Sequence, residues 1–376
     1  MAGIYIHIPF CKKKCNYCNF YSSTLIKHED EFIKAITNEI KLQKQFINEQ
    51  VQTIYFGGGT PSILKTQSIE KILNAIHANF NISQNTEVTI EVNPDNITTN
   101  YIKDIVTIGI NRISIGIQSL NDKELILLNR KHDSNQAINA LNIIKNNGIT
   151  NISADIIYGI PYSNLKTLED NLNQIINLDI PHISAYALTI EDNTLLNKKI
   201  QQKKITTLDD DFLFEQYSLL CSFMKKNNYL HYEISNFAKE DFASKHNSNY
   251  WKNIPYLGLG PSAHSFNINN RFWNISDINK YIQALNQNII PQTIESLSLT
   301  DKYNEFIMIS LRTSFGLDLN KLKQNFGNNI LAQFLENIKP YIENKSMLFN
   351  TQNNIIINES DLFHSDSIIS NLFITS

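Results

Sequence analysis

Six short runs rich in Ile, Val and Tyr, near residues 4–8, 52–57, 86–92, 112–117, 150–157 and 181–188, alternate with longer segments of helical period. Strands followed in turn by helices predict repeated βα units built around a parallel sheet. Ile69, Ile72, Leu73 and Ile76 recur at i, i+3, i+4 and i+7, and Leu165, Leu168, Leu172, Ile175 and Ile176 mark one face of a second helix.

After about residue 230 the alternation stops. HYEISNFA, HNSNYW and YLGLGPSAHSF read as loops containing glycine and aromatic residues, and helical patterns return from about 299 in EFIMISLRT, LNKLKQNF and ILAQFLENIKPYI. SMLFN and NIIIN, on either side of TQN, read as a small hairpin. Together these segments predict a compact C-terminal domain.

At 376 residues and 42% hydrophobic content the chain can bury a large core. A formal charge of −3 supplies no basic field of the kind that dominates nucleic-acid binding, so no nucleic-acid partner is expected. There is no run of about 18 apolar residues, and the opening MAGIYIHIPF leads into CKKKC rather than a signal-peptide pattern, which predicts a cytoplasmic protein. Of four cysteines, three fall within eight residues, too close for a disulfide framework and suited to metal binding in a reducing compartment. The fourth, Cys221, shares the apolar side of a helix with Tyr217 and Met224 and reads as a core thiol.

Cys11, Cys15 and Cys18 form a CxxxCxxC run directly after the first strand. Three thiolates on a [4Fe-4S] cubane leave one iron open to a small molecule, whereas ferredoxin clusters are fully ligated by cysteine. Lys12, Lys13 and Lys14 would offset part of the cluster's negative charge. Zinc held by the three cysteines and a histidine such as His7 or His28 is the alternative, and the cysteine run alone leaves both open.

A second set of residues sits at the strand ends. Phe56-Gly57-Gly58-Gly59-Thr60-Pro61 would let backbone groups approach a ligand closely, although a tight strand-to-helix turn has the same composition. Glu91 closes the third strand, Gln118 follows the fourth and Asp155 lies near the end of the fifth. In a βα barrel all of them gather at the C-terminal face, beside the cysteine loop. With Arg130 they suit a ligand bearing an amino group, a carboxylate and a ribose, such as S-adenosylmethionine. Taken singly, Glu91 or Asp155 could as well make structural hydrogen bonds, and Arg130 could lie on a surface helix.

Tyr5-Ile6-His7-Ile8-Pro9-Phe10-Cys11, the CxxxCxxC spacing, GGGTP, EVNP, IQS, RKH and DIIYGIP together resemble the coproporphyrinogen-oxidase-like branch of the radical S-adenosylmethionine superfamily, nearly end to end. Within that branch HYEISNFA, HNSNYW, YLGLGPSAHS, LRTSFGLD and FHSDSIISNLF resemble the HemW haem chaperones. The resemblance implies an α/β fold: a partial (β/α)6 TIM-like barrel over residues 1–230, a connecting region with HNSNYW over 231–295, and a small winged-helix-like α+β domain over 296–376. It implies that Cys11, Cys15 and Cys18 ligate a [4Fe-4S] cluster, with S-adenosylmethionine on the fourth iron. Tyr5, the Gly58, Gly59 and Thr60 backbone, Glu91, Gln118, Arg130, Asp155 and the main chain of Tyr17 would line its pocket. An electron from the cluster then cleaves the sulfonium to methionine and a 5′-deoxyadenosyl radical.

Relatives that decarboxylate coproporphyrinogen III carry a further cysteine two residues after the third and a longer N-terminal arm. Here that position is Phe20 and the first cysteine is already at 11, which counts against an oxygen-independent coproporphyrinogen III oxidase, the alternative reading. HNSNYW points instead to haem as cargo, with His246 offering an imidazole and Tyr250 and Trp251 flat apolar surface; His231 and His264 lie in neighbouring motifs. The expected role is delivery of haem to apo-haemoproteins, with S-adenosylmethionine either regulatory or cleaved during transfer. The resemblance further implies a flavodoxin or ferredoxin as reductant and peripheral association with membrane haemoproteins.

Overall fold

The computed structural model describes residues 1–375. Its first half runs β1 (Ala2–Ile8), α1 (Glu29–Leu42), β2 (Val51–Gly58), α2 (Thr66–Asn79), β3 (Ile82–Val92), α3 (Thr99–Thr107), β4 (Arg112–Gln118), α4 (Asp122–Leu127), α5 (Ser134–Asn146), β5 (Ile152–Tyr158), α6 (Leu165–Asn177) and β6 (His182–Ala187). The six strands match the predicted ones to within a few residues and pair in parallel in chain order. Their outward-facing residues, such as Ile113, Ile115 and Ile117, are wholly buried under the helices. Each such side chain contributes on the order of 1.5–3 kcal/mol. The helix faces read from spacing are the buried ones: Ile69, Ile72, Leu73 and Ile76 in α2, and Leu168, Leu172 and Ile175 in α6.

Two further helices follow, α7 (Leu195–Gln201) and α8 (Asp210–Lys226), with Cys221 of α8 buried in the core. The region read as loops beyond 230 carries six more strands: β7 (Leu230–Glu233), β8 (Asn236–Ala238), β9 (Tyr256–Leu259), β10 (His264–Phe266), β11 (Asn270–Asn274) and β12 (Gln292–Ser296). Between them lie α9 (Lys245–Trp251) and α10 (Ile278–Asn286). All six of these strands span only three to five residues, too short for an alternation to register. They extend the sheet at both ends in the order β12-β11-β10-β9-β1-β2-β3-β4-β5-β6-β8-β7, so the barrel stays open and incomplete.

The C-terminal part has its own core, built around Ile307, Leu322, Phe334 and Ile357 from α11 (Leu299–Leu311), α12 (Leu319–Glu343), β13 (Met347–Phe349), β14 (Ile355–Ile357) and α13 (Ser365–Ser370). The two helices expected at LNKLKQNF and ILAQFLENIKPYI are both present as the two halves of α12, separated at Gly327, whose φ of 88° and ψ of 174° are not helical. The hairpin lies where SMLFN and NIIIN predict it. This part meets the sheet at the β7–β8 turn, where Ser314 N donates to Tyr232 O at 3.1 Å and Ile234 N to Arg312 O at 3.0 Å. Among the described residues no helix is long and apolar enough to cross a membrane.

Candidate functional site

The loop after β1 crosses the C-terminal ends of the strands and is tied down on both sides. Toward β2, Gly59 N donates to Ile8 O at 2.8 Å and Thr60 N to Phe10 O at 2.8 Å. A Cβ on Gly59 would stand 2.6 Å from Phe10 O and 3.1 Å from Cys11 Sγ, so only glycine admits the loop here. Gly58 has φ +109°, and a Cβ there would meet the His7 ring at 2.7 Å. The close approach expected at GGGTP is thus made by the cysteine loop itself. On the far side Asn16, missed from sequence and buried, donates its amide to Leu127 O at 2.9 Å, and Leu196 N donates to Asn16 O at 2.9 Å.

These anchors bring Cys11, Cys15 and Cys18 to one wall of a cavity of about 600 Å³ on the concave side of the sheet. Burial pushes the Cys11 and Cys18 thiols above their usual pKa. Cys11 Sγ lies 3.6 Å from Thr60 Oγ1, and Arg130 Nη1 donates to Cys15 Sγ at 3.4 Å. Neither histidine of the zinc alternative faces them. His7 holds Tyr21 O with Nε2 at 2.9 Å, and His28 pairs with Glu31 at 2.9 Å in an exposed contact. Among the described residues no three His, Cys, Asp or Glu side chains converge as the ligands of a single ion. Three thiols with a guanidinium beside them fit an anionic cluster of several irons better than one zinc.

The same cavity is lined by Tyr17, Gly58, Gly59, Thr60, Glu91, Gln118, Arg130 and Asp155, all of them expected to line the pocket. Arg130 is not on a surface helix: its Nη2 donates to Asn93 Oδ1 and to Gly116 O, both at 2.6 Å. Glu91 accepts from Tyr55 OH at 2.9 Å and Gly58 N at 3.2 Å, and burial, with Asp155 nearby, raises its pKa to about 7. Burial likewise raises Asp155 to about 6, against hydrogen bonds from Ser114 at 2.9 and 3.1 Å. Two buried acids able to ionise favour a cationic ligand. Tyr5 lies one layer back, outside the lining, stacked on Tyr55 at 6.0 Å with its hydroxyl 3.3 Å from His7 Nδ1.

Sequence reasoning missed Tyr55, Asn93, Arg112, Ser114, Ser153, Ser184 and Tyr186, which also line the cavity. A signal was available. Ser114, Gly116 and Gln118 alternate with isoleucines in β4, as Ser153 and Asp155 alternate with apolar residues in β5, so period two marks the concave face. Below Asp155 a polar chain runs through Ser153 to His182 Nδ1 at 2.8 Å, and from His182 Nε2 to Tyr232 OH at 2.8 Å.

The floor of the cavity includes Ser244 and Asn247, at the start of α9. Helix α9 carries HNSNYW and plugs the N-terminal end of the barrel, held by Glu87, which accepts from Lys245 N at 3.2 Å and His246 N at 3.0 Å. His246 is buried, with Nδ1 2.8 Å from Thr53 Oγ1, Nε2 2.9 Å from Tyr250 OH, and Tyr55 stacked at 4.9 Å. Burial lowers its pKa to about 3. Both ring nitrogens are engaged, so an iron ligand at His246, as expected from sequence, would require the ring to abandon Thr53 or Tyr250. Tyr250 is half-buried and packs edge-on against Tyr256 at 4.7 Å. Trp251 alone of the three lines a separate cleft, facing Phe306 and Phe315. His231 stacks on Phe237 at 4.2 Å, while His264 is exposed beside Trp273.

Residues 5–175 match the Radical SAM superfamily, and residues 297–348 the HemN C-terminal domain. Over 93% of its length the chain is 31% identical to the heme chaperone HemW of Lactococcus lactis, covering 92% of that protein. It is 35% identical to the heme chaperone HemW of Buchnera aphidicola from Acyrthosiphon pisum, over 96% of this chain and 94% of the relative. Coproporphyrinogen III oxidase (HemN) from Escherichia coli superposes on 99% of the chain and 90% of its own, with a TM-score of 0.84 at 21% identity, a likeness of fold.

Proposed function

The chain belongs to the HemW family of heme chaperones within the radical SAM superfamily, and on that basis we propose that it binds haem and delivers it to apo-haemoproteins. The similarity to proteins of that name along nearly the full chain is the observation that carries this reading. In it Cys11, Cys15 and Cys18 would hold a [4Fe-4S] cluster beside bound S-adenosylmethionine, and the pair would supply one-electron chemistry at the sulfonium. The shared cavity wall of the three thiols supports this assignment.

Thr60 and Arg130 orient the cluster from either side, Thr60 beside Cys11 and Arg130 beside Cys15. Glu91, Gln118 and Asp155 would receive the amino and ribose groups of S-adenosylmethionine, with Gly58, Gly59 and the Tyr17 main chain lining the same space. A cation bound there would favour the ionised form of Glu91, opposing the burial that raises its pKa. Tyr5 acts from behind, backing Tyr55, which donates to Glu91. The haem-handling role falls to HNSNYW, with Trp251 as the contact and His246 and Tyr250 as the residues that hold its helix. The working division is the barrel over 1–230, the HNSNYW region over 231–295 and the C-terminal domain over 296–376, supported by the separate core around Phe334. A flavodoxin or ferredoxin serves as reductant, the protein works in the cytoplasm, and acceptors include haemoproteins at the membrane.

Anaerobically reconstituted protein should shift the haem Soret band and load an apo-haemoprotein. Absence of the shift would refute the reading. No protoporphyrinogen IX should form from coproporphyrinogen III with reductant, in keeping with Phe20 at the rim, 69% exposed, where decarboxylases carry cysteine.

A further inference from the structure

The C-terminal end of α9 faces the C-terminal domain across a cleft of about 500 Å³, within the roughly 300–1,000 Å³ typical of small-molecule sites. Trp251, Phe306 and Phe315 supply aromatic wall, and Phe315 is 42% exposed. Lys252 stands 5.2 Å over the Phe315 ring, and Lys321 opens onto the same space from the first turn of α12. Neither lysine takes part in any ion pair among the described residues. The one side-chain carboxylate in the wall among the described residues, Asp318, is occupied capping α12, accepting from Asn320 N at 2.8 Å and Lys321 N at 3.3 Å.

We propose that this cleft is the cargo site, and that it recognises the flat tetrapyrrole and its two carboxylates rather than the iron. The proposal rests on the haem-carrier reading above. Aromatic faces suit a planar apolar ring, and two unpaired ammonium groups suit two propionates. Among the described residues no His, Cys, Met or Tyr lines the cleft, so none of them offers a customary axial ligand there. A carrier without an iron ligand yields its cargo to any acceptor that supplies one, since the new bond adds to the acceptor's side alone. Helix α9 is a wall shared by both sites: Ser244 and Asn247 at its start floor the cavity beneath the cysteines, and Trp251 at its end lines the cleft.

The test titrates full-length, cluster-reconstituted protein with haemin and with metal-free protoporphyrin IX, followed by Soret absorption. Both should bind, with affinities within about tenfold of each other, a difference of ~1.4 kcal/mol. Lys252→Glu with Lys321→Glu, two exposed positions that leave the fold intact, should weaken both by about tenfold or more, as should Trp251→Ala. Haemin binding without protoporphyrin binding would place recognition at the iron and overturn the cleft while leaving the carrier reading standing. So would charge reversals that leave affinity unchanged, or loss of binding on His264→Ala. If neither porphyrin binds, the carrier reading falls and the cleft with it.

Discussion

Nε2 of His246 lies 2.9 Å from the hydroxyl of Tyr250, one helical turn further on, while Nδ1 lies 2.8 Å from Thr53 Oγ1 in β2. The imidazole is therefore a rivet between α9 and the barrel strands. His246→Ala removes a hydrogen bond from each of Thr53 and Tyr250, leaving Thr53 Oγ1 only the 3.5 Å contact from Asn249 Nδ2, and opens a cavity beside Tyr55, a loss of about 2–4 kcal/mol. A lower urea midpoint is expected. The folded fraction should still give a haem complex with the Soret maximum of the parent protein, whereas loss of an axial ligand would move it.

Gly59 sets whether the cysteine loop can dock at all. In Gly59→Ala the new methyl group would press on Phe10 O at 2.6 Å, a backbone atom that cannot turn aside. The loop must lift from β2, carrying Cys11 with it. Iron per chain after reconstitution should fall well below the roughly four of an intact cubane, with the circular dichroism of the barrel retained.

How much of this was legible depended on whether the determining forces were local. Strands β1 to β6 announced themselves because Ile, Val and Tyr cluster where both faces are buried, and the site residues at their ends followed from chain direction alone. The burial of His246 had no such signal. KHNSNYW carries no apolar helical period, and its helix is held at the start by Glu87, 159 positions away from His246. Tyr5 was legible as a strand residue facing the barrel interior but not as one screened by Tyr55, since the depth of a layer depends on its neighbours. The break at Gly327 was legible because glycine takes the positive φ of 88° at little cost, so LNKLKQNF and ILAQFLENIKPYI read as two helices.

Arg130 reaches three acceptors at once: Cys15 Sγ at 3.4 Å, and Asn93 Oδ1 and Gly116 O at 2.6 Å. A single ammonium cannot reproduce that fork. Arg130→Lys keeps the charge beside the cluster but frees Asn93 and the end of β4. S-adenosylmethionine affinity, read from its perturbation of the reduced cluster's electron paramagnetic resonance signal, should fall by about tenfold. Iron content should stay near that of the parent.

Glu91 gives the cluster-free protein a pH dependence with a defined sign. Its pKa rises from 4.5 unfolded to about 7 folded, chiefly through burial and then through Asp155. Below about 4.5 the carboxyl is protonated in both states and its contribution is at its greatest. As pH climbs, the unfolded chain ionises first and holds fewer protons than the folded one, so stability declines until the folded group also ionises near 7. The whole shift corresponds to roughly 3 kcal/mol. Asp155 adds a smaller decline in the same direction, ending near 6. In Glu91→Gln nothing at this position titrates, so urea midpoints measured between about pH 4.5 and 8 should fall less steeply than in the parent. Equal slopes in the two proteins would mean that Glu91 is already ionised in the folded state, held by Tyr55 and Gly58 more strongly than burial opposes it.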